Sequence, residues 1–562
     1  MILIDRRLKI PKQPEVNIGT AGHVDHGKCL SLDDTAYLEG SYYTGRDLVR
    51  ELGLDLSKIK TEIYIKLNHK TKSYDALSKK VIEADGYLYV QKYTGKMVSV
   101  ETETGKSLLV SPKHKLLNEK GWVSAINIKE GDKVFVYENK LDRETVTKKS
   151  IKDYDGHLYD LSVPKYHNFL ASYGIISHNT TLVEAITGKW TSMHSEELKR
   201  GITIKIGYAD AAIFECPELP APDKYNTEGK CEKGEPKLLR VVSFIDSPGH
   251  ESLMSVMLSG AALMDGAILV IAANEPVPQP QTREHLQALK MIGIKNIVVV
   301  QNKIDLVTYD QAVNNYNKIV DFLSSYGYND VPIIPISAQK KLNIDALLQA
   351  IEEKIPTPKR DPNAPPLMQV LRSFDINKPG TQIQDLKGGV LGGSLKQGKL
   401  KVGDQIEIKP GIPIKGTYQP IVTEIVSLAT SSGQVEEVLP GGLIAIGTKL
   451  DPIFTKNDVM VGNYVAKVGY LPDPVDEIVI KYELFEYVIG LREMVRYEKI
   501  KPGENVRLNI GTMVNQGVIE EVTKDIMRIK LKKPAVILKG DRVAISRFVS
   551  DRWRLAGSGT II

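Results

Sequence analysis

The feature that most constrains this 562-residue chain is a phosphate-binding loop written in two pieces. Residues 22–28 read GHVDHGK, and residues 180–188 read TTLVEAITG. Joined, they give Gly22-x-x-x-x-Gly27-Lys28-Thr180, the complete G-x-x-x-x-G-K-[ST] pattern that opens a helix. Such a loop works only as one continuous backbone, because its N–H groups must converge on a phosphate at the positive pole of the following helix. Residues 29–179 stand in its middle. They begin at Cys29 and end at His178-Asn179, immediately before Thr180. A nucleophile at the first position, a cyclising amide at the last and a second nucleophile just beyond are the boundary chemistry of a self-splicing insertion. The chain therefore reads as a precursor carrying two proteins.

The texture of the sequence divides the same way. Residues 29–179 hold 13 of the 25 tyrosines and many short alternating runs, such as Thr61–Leu67, Tyr87–Tyr93 and Lys133–Tyr137. Period-two alternation punctuated by Gly and Asn predicts an all-β module. Residues 180–355 alternate apolar strands (Val241–Ile245, Ala267–Ile271, Ile297–Gln301, Ile333–Ile336) with helical segments (Ser252–Met264, Thr282–Lys290, Ile344–Lys354). That is the rhythm of an α/β parallel sheet. Pro356–Pro366 carries five prolines and reads as a stiff linker. Beyond it, short strands and Gly-rich turns predict two β-barrels dividing near Tyr470–Pro474. The expected domains are 1–28 with 180–358, the insert 29–179, and barrels over 367–469 and 470–562.

Composition excludes several classes. Net charge is +5 from 74 basic and 69 acidic residues, a balance too even to argue nucleic-acid binding by itself. Three cysteines, Cys29, Cys216 and Cys231, predict no disulfide framework and fit a reducing cytosol. Met1–Pro14 is charged and lacks the apolar core of a signal peptide. The most hydrophobic stretch, Gly260–Ala273, contains Asp265 and is too short to cross a bilayer. A cytoplasmic protein without a membrane partner is expected.

Further motifs give the joined loop a nucleotide. Within the loop lie Asp25 and His26; Lys28 supplies a cation for the β- and γ-phosphates, Thr180 a hydroxyl for Mg2+, and Thr181 continues into the helix. Asp246-Ser247-Pro248-Gly249 follows an apolar strand and puts the Asp246 carboxylate where it can hold a water of the metal. Asn302-Lys303-Ile304-Asp305 follows the next. The Asp305 carboxylate can accept both the N1 hydrogen and the exocyclic amine of guanine, a pair of donors adenine lacks. Ser337-Ala338-Gln339 ends a further strand, where a backbone amide can meet guanine O6. An ordinary surface turn would account for Asn302–Asp305 alone, not for three motifs in this order. GTP/GDP with Mg2+ is the expected ligand.

With these motifs the chain resembles the translational GTPases over residues 1–28 and 180–562. By that likeness, HSEELKRGITI (194–204) is a first switch region in which Thr203 holds the metal and the γ-phosphate. His250 takes the place of the catalytic histidine that orients water, restrained by Val24 and Ile202. The phrases HSEELKRGITIKIGYAD, DSPGHESLMSVMLSGAALMDGAILVIAANEP and RWRLAGSGTII are similar to the gamma subunits of archaeal initiation factor two. The resemblance implies initiator methionyl-tRNA, alpha and beta subunits and the small ribosomal subunit as partners. In that family the insert Phe214–Lys237 often carries a four-cysteine zinc knuckle. Here only Cys216 and Cys231 stand, without a nearby histidine, so no zinc is expected. An elongation-type tRNA carrier shares the nucleotide motifs and the two barrels, and is the rival within the class.

Residues 29–179 resemble the inteins, which implies a Hint-type fold. Ser111-Pro112-Lys113-His114 matches the block usually written T-x-x-H, with Ser111 in place of threonine and His114 polarising the first scissile amide. Tyr159–Val163 followed by His167-Asn168-Phe169 resembles the next block, with Asp160 aiding the first acyl shift and His167 the later steps. His178 would assist Asn179. Each histidine alone is more often structural; their placement between Cys29 and Asn179-Thr180 changes that. No endonuclease-like helix is found. The alternatives are a β module that merely binds, for which the junction nucleophiles have no use, and cleavage without ligation.

Overall fold

The computed structural model describes residues 10–22, 30–56, 62–75, 80–112, 114–119, 121–137, 140–163, 168–172, 175–178, 182–187, 206–247, 254–338, 340–377, 382, 384, 386–488, 495–549 and 552–562. They form two compact units. One comprises Val24–Glu184 with Ser192–Lys205; the other comprises Met1–His23, Ala185–Thr191 and Ile206–Ile562.

The second of these contains a seven-stranded sheet. Its order is Tyr225–Asn226, Gly207–Glu215, Lys237–Asp246, Val16–Gly22, Gly266–Ala272, Ile297–Asn302 and Ile333–Pro335. Val16–Gly22 runs parallel to both neighbours, pairing Thr20 with Asp246 on one side and Gly22 with Val270 on the other. Val241, Val242, Phe244, Ile245, Ala267–Leu269 and Val298–Val300 are buried, as continuous apolar runs must be when helices cover both faces. The helix expected over Thr282–Lys290 spans Pro280–Ile292, opened by a proline in its first turn and ended by Gly293 at φ 90°. Ile344–Lys354 is helical, and Met254–Ala261 is helical within the span expected over Ser252–Met264.

Three features differ from expectation. Tyr309–Ser325 is a seventeen-residue helix that the apolar pattern does not announce, because only Asn315, Ile319, Phe322 and Leu323 are buried on it. A capping box starts it: Thr308 accepts from the Gln311 N–H, and the Gln311 side chain returns to the Thr308 N–H. The linker is docked rather than free. Arg360 donates to both Asp265 carboxylate oxygens (2.6 and 2.8 Å) and to the Glu15 carbonyl (3.0 Å). Finally, Cys216 and Cys231 form a disulfide, with Cα atoms 5.6 Å apart. This corrects the expectation of unpaired thiols. Counting cysteines cannot see that Phe214 pairs with Asn226, and Cys216 N–H with the Lys224 carbonyl, which turns the chain back on itself.

Beyond the linker, Gln405–Ile414, Tyr464–Lys467, Leu367–Phe374, Val390–Gln397, Ile444–Thr448 and Thr417–Thr430 pair in sequence, and the first also pairs with the last, closing a ring. A second closed barrel is formed by Val475–Leu484, Ile526–Ala535, Met513–Val522, Asn505–Ile510, Arg542–Val549 and Arg552–Ile561. Closure removes the exposed strand edges that an open sheet would leave. Both barrels meet the α/β layer through buried polar groups. Asn17 Nδ2 donates to Ser394 Oγ (2.9 Å), and Asn509 Nδ2 donates to the Ser255 carbonyl (2.8 Å) and to Ser259 Oγ (3.1 Å). Among the described residues no helix is long and apolar enough to cross a membrane.

The other unit is a twelve-stranded, largely antiparallel sheet around a core that includes Leu30, Leu38, Leu48, Val90, Val98, Val110 and Tyr159. Its two longest strands, Lys80–Thr102 and Leu141–Ser162, pair over most of their length. Tyr87–Tyr93, read as a separate strand, is one stretch of the first. Gly95 and Gly156 look like breaks but continue the ladder, opposite Tyr154 and Tyr93 respectively. Each is covered by the tyrosine two residues earlier: a Cβ on Gly95 would come 2.8 Å from the Tyr93 hydroxyl, and one on Gly156 3.1 Å from that of Tyr154. An aromatic ring lying over a strand glycine restores the packing it lacks. The module is not wholly β. Gly45–Glu51 is a helix, started by a capping box between Thr44 and Asp47.

Candidate nucleotide site and junction site

Parallel strands present their carboxyl ends at one edge of a sheet, where ligands of α/β proteins bind. Val16–Gly22 stops at the first glycine of the divided loop. His23–Cys29 fall outside the described residues, and with them Val24, Asp25, His26, Gly27 and Lys28. So do Asn179–Thr181, Thr203 within 188–205, Pro248–Leu253 with His250, and Gln339. What is described is the frame around them.

Asp246 ends its strand beside Thr20, whose Oγ1 donates to Asp246 Oδ1 at 2.7 Å. That bond orients the carboxylate, and an oxygen donor so held suits a hard divalent cation. Thr20 was not singled out by the sequence. The available signal was a polar residue on a strand buried on both sides. Among the described residues no group of three or more His, Cys, Asp or Glu side chains is arranged so that it could hold a metal ion.

At the next strand end, Asn302 Oδ1 accepts from the Lys303 N–H (2.8 Å) and the Ala338 N–H (3.1 Å). This draws Asn302–Asp305 and Ser337-Ala338 into one corner, as the motifs require of a base pocket. The Ala338 amide is thus engaged within the protein, and Gln339, in the segment from which a backbone amide is expected to meet guanine O6, lies outside the described residues. Lys303 sits at φ 65° and turns the chain into the short helix Ile304–Leu306 that carries Asp305. Its ammonium is buried, and burial pushes its pKa down to about 8 against the opposing pull of Asp305.

The helix Pro280–Ile292 also contributes. His285, fully buried, accepts the Gly22 N–H on Nδ1 at 2.9 Å. Its neighbour Glu284 lies 3.8 Å from Arg554 of the second barrel, and burial raises its carboxyl to about 7 despite that charge. Neither was anticipated, because a lone histidine on an amphipathic helix reads as core.

In the other unit, pairing register relates those of the expected residues that are described. Leu30 lies between Val110 and Tyr159, so the residue after Cys29 sits one position from both Ser111 and Asp160. Ser111 and His114 are buried, and the His114 N–H donates to the Ser111 carbonyl (3.0 Å). Asp160 is also buried. His178 pairs with Asn168, next to His167, which lies outside the described residues; Ser177 pairs with Leu116, two positions beyond His114. A second buried carboxylate, Asp34, accepts the Leu109 N–H on both oxygens (3.1 and 3.0 Å), and burial pushes it up to about 7.

Residues 166–357 match the family described as the elongation factor Tu GTP binding domain, and residues 476–561 match initiation factor eIF2 gamma, C terminal. The chain is 53% identical over 395 residues to translation initiation factor 2 subunit gamma of Archaeoglobus fulgidus, covering 69% of this chain and 93% of that one. It is 54% identical over 398 residues to the same subunit of Pyrococcus horikoshii, covering 69% and 96%. Among solved structures, bacterial selenocysteine-specific elongation factor EF-Sec superposes with a TM-score of 0.51 at 24% identity, covering 68% of this chain and 55% of that one. The elongation factor SelB of Methanococcus maripaludis, in complex with the GTP analogue GppNHp, gives 0.50 at 22%, covering 68% and 75%. These two likenesses speak to the fold alone. The chain belongs to the translation initiation factor 2 gamma-subunit family, GTP-binding and GTP-hydrolysing proteins of translation initiation.

Proposed function

We propose that the chain is a precursor. Residues 29–179 leave by protein splicing, and residues 1–28 joined to 180–562 form a GTPase subunit. It carries initiator methionyl-tRNA to the small ribosomal subunit together with alpha and beta subunits. The observation that carries this reading is the divided loop, with an acyl-transfer nucleophile at each side of the interruption. The match to full-length relatives over only 69% of this chain agrees with an insertion.

Cys29 Sγ attacks the Lys28 carbonyl and replaces the peptide bond by a thioester, as His114 polarises the amide with Ser111 and Asp160 beside it. Thr180 Oγ attacks that thioester, freeing the Cys29 thiol and holding residues 1–28 as a branched ester. Asn179 cyclises to a succinimide with help from His178 and His167, breaking its bond to Thr180. The freed Thr180 amine then takes the acyl group from its own oxygen, leaving a Lys28–Thr180 peptide. A free thiol has a pKa of about 8.5, so alignment in the folded insert must supply the rate.

In the joined product, the N–H groups of Gly22–Lys28 cradle the phosphates. Thr180, Thr203 and Asp246 would hold Mg2+, which when bound neutralises phosphate charge. His250 orients the attacking water. Asn302, Lys303 and Asp305 with Ser337–Gln339 select guanine. Positioning and charge stabilisation are most of what phosphoryl transfer needs. Barrels over 367–469 and 470–562 would complete the product.

Intact mass after expression of the full chain tests the reading. The expected masses are those of residues 1–28 joined to 180–562 and of a free insert 29–179. A single unprocessed mass, or two fragments without the joined product, would refute ligation.

A further inference from the structure

We infer that His285 is a positioning residue for the phosphate loop, its neutral imidazole tethering the point at which the loop leaves the sheet. Gly22 is both the last residue of its strand and the first glycine of the divided motif. Its N–H, at the end of the ladder, donates to Nδ1 of His285 at 2.9 Å. A ring nitrogen accepts only through a lone pair, so Nδ1 carries no proton and the neutral ring bears its hydrogen on Nε2. An imidazolium would set N–H against N–H.

Gly22 is also wedged from the other side. A Cβ there would lie 2.6 Å from the Val270 carbonyl oxygen and 3.2 Å from Val270 Cβ. The strand end is thus pressed against one neighbour and tied to a helix by the imidazole. The helix is itself braced. Arg542 Nη1 donates to the Met291 carbonyl in its last turn (2.7 Å), and Glu284 faces Arg554. Phosphate loops act through N–H groups aimed before the ligand arrives, and small displacements there are costly. A tether at the loop's root supplies that aim without touching nucleotide.

The nucleotide readout below rests on the joined loop proposed above; the exchange readout does not. The full chain is expressed as parent, as His285→Leu and as His285→Asn, whose Oδ1 can accept close to where Nδ1 does. Amide hydrogen exchange at Gly22 is measured on each, and the affinity of the joined product for a fluorescent GDP. The Leu variant leaves a buried N–H unmet, so Gly22 should exchange about ten-fold faster and GDP bind about ten-fold more weakly. The Asn variant should restore both to within about three-fold. Unaltered exchange in the Leu variant overturns the inference, as does an Asn variant no better than Leu. If the Leu variant does not fold, the Asn variant decides alone, by matching the parent or failing to. A parent that stays unspliced and takes no GDP refutes the proposed function, while exchange at Gly22 still decides this one.

Discussion

The two units gather distant residues by opposite means. In the α/β unit the central strands are parallel, so the segments after Gly22, Asp246, Asn302 and Pro335 all emerge at one edge. All but the divided loop after Gly22 contribute a short motif written contiguously in the chain. In the other unit neighbouring strands run antiparallel and share no such edge. Ser111, Asp160 and Leu30 come close because Leu30 is paired on both sides, with Val110 and with Tyr159. A parallel sheet therefore writes its site as strand-end phrases, whereas an antiparallel one writes it as register, which no single phrase reveals.

The sharpest way to break the comparison is to stop one unit and watch the other. In the proposed precursor, Lys28 is followed by Cys29 rather than by Thr180, so the two sites should exclude each other. Cys29→Ala with Asn179→Ala is expected to abolish the joined mass, and GTP turnover with it. Measurable turnover by that precursor would show that the loop tolerates its interruption.

A subtler contrast uses the two buried carboxylates. Asp34 and Glu284, one in each unit, are raised by burial to about 7 from ordinary values of 3.8 and 4.5. A carboxyl raised on folding favours the native state fully below its unfolded pKa. That contribution is lost as pH climbs through the folded value, because the unfolded chain ionises first. Both units should therefore weaken between about pH 4 and pH 7, by up to about 4 kcal/mol for Asp34. Asp34→Asn in the double-alanine precursor should flatten the dependence of the insert alone. Denaturant midpoints at pH 5 and pH 8, with exchange at Leu109 as the local probe, check it. An unchanged slope for the insert would mean that Asp34 titrates near its ordinary value.

The smallest effect compares like with like. Thr44→Ala and Thr308→Ala each remove one capping box, at helices of seven and seventeen residues. Each should cost about 1 kcal/mol in its own unit and nothing in the other, read as separate shifts in unfolding midpoint. A shift in both units from one substitution would show that they unfold together.

What could be read beforehand follows the same physics. The strands around Val241–Ile245 and Ile297–Gln301 were legible because burial on both faces demands continuous apolar runs. The helix Tyr309–Ser325 was not, since it buries so little of its surface; its one written clue was the Thr308-x-x-Gln311 box. Gly95 and Gly156 look like turn signals and are not, because a tyrosine stands two residues before each. Asn302 and Ser337-Ala338 were legible as motifs, but their bond at 3.1 Å was not. Thr20 and His285 escaped notice because their partners, Asp246 and Gly22, are remote in sequence and belong to other elements. Cys216–Cys231 was misread for the same reason: composition counts atoms and says nothing of which loop closes.

The anchoring of the leading segment has a consequence of its own. Glu15 is held by the Val241 carbonyl and by Arg360, and Asn17 by Asp265, Leu263 and Ser394. Its strand is laddered on both sides and tied at its end by His285. Covalently, this piece continues into the other unit; physically, it is a fragment complementing a body encoded far downstream. Its seat does not depend on the bond at Lys28. Were that bond exchanged as proposed, from amide to thioester to ester and back, the strand Val16–Gly22 would stay docked, as the smaller half of a split protein stays with the larger.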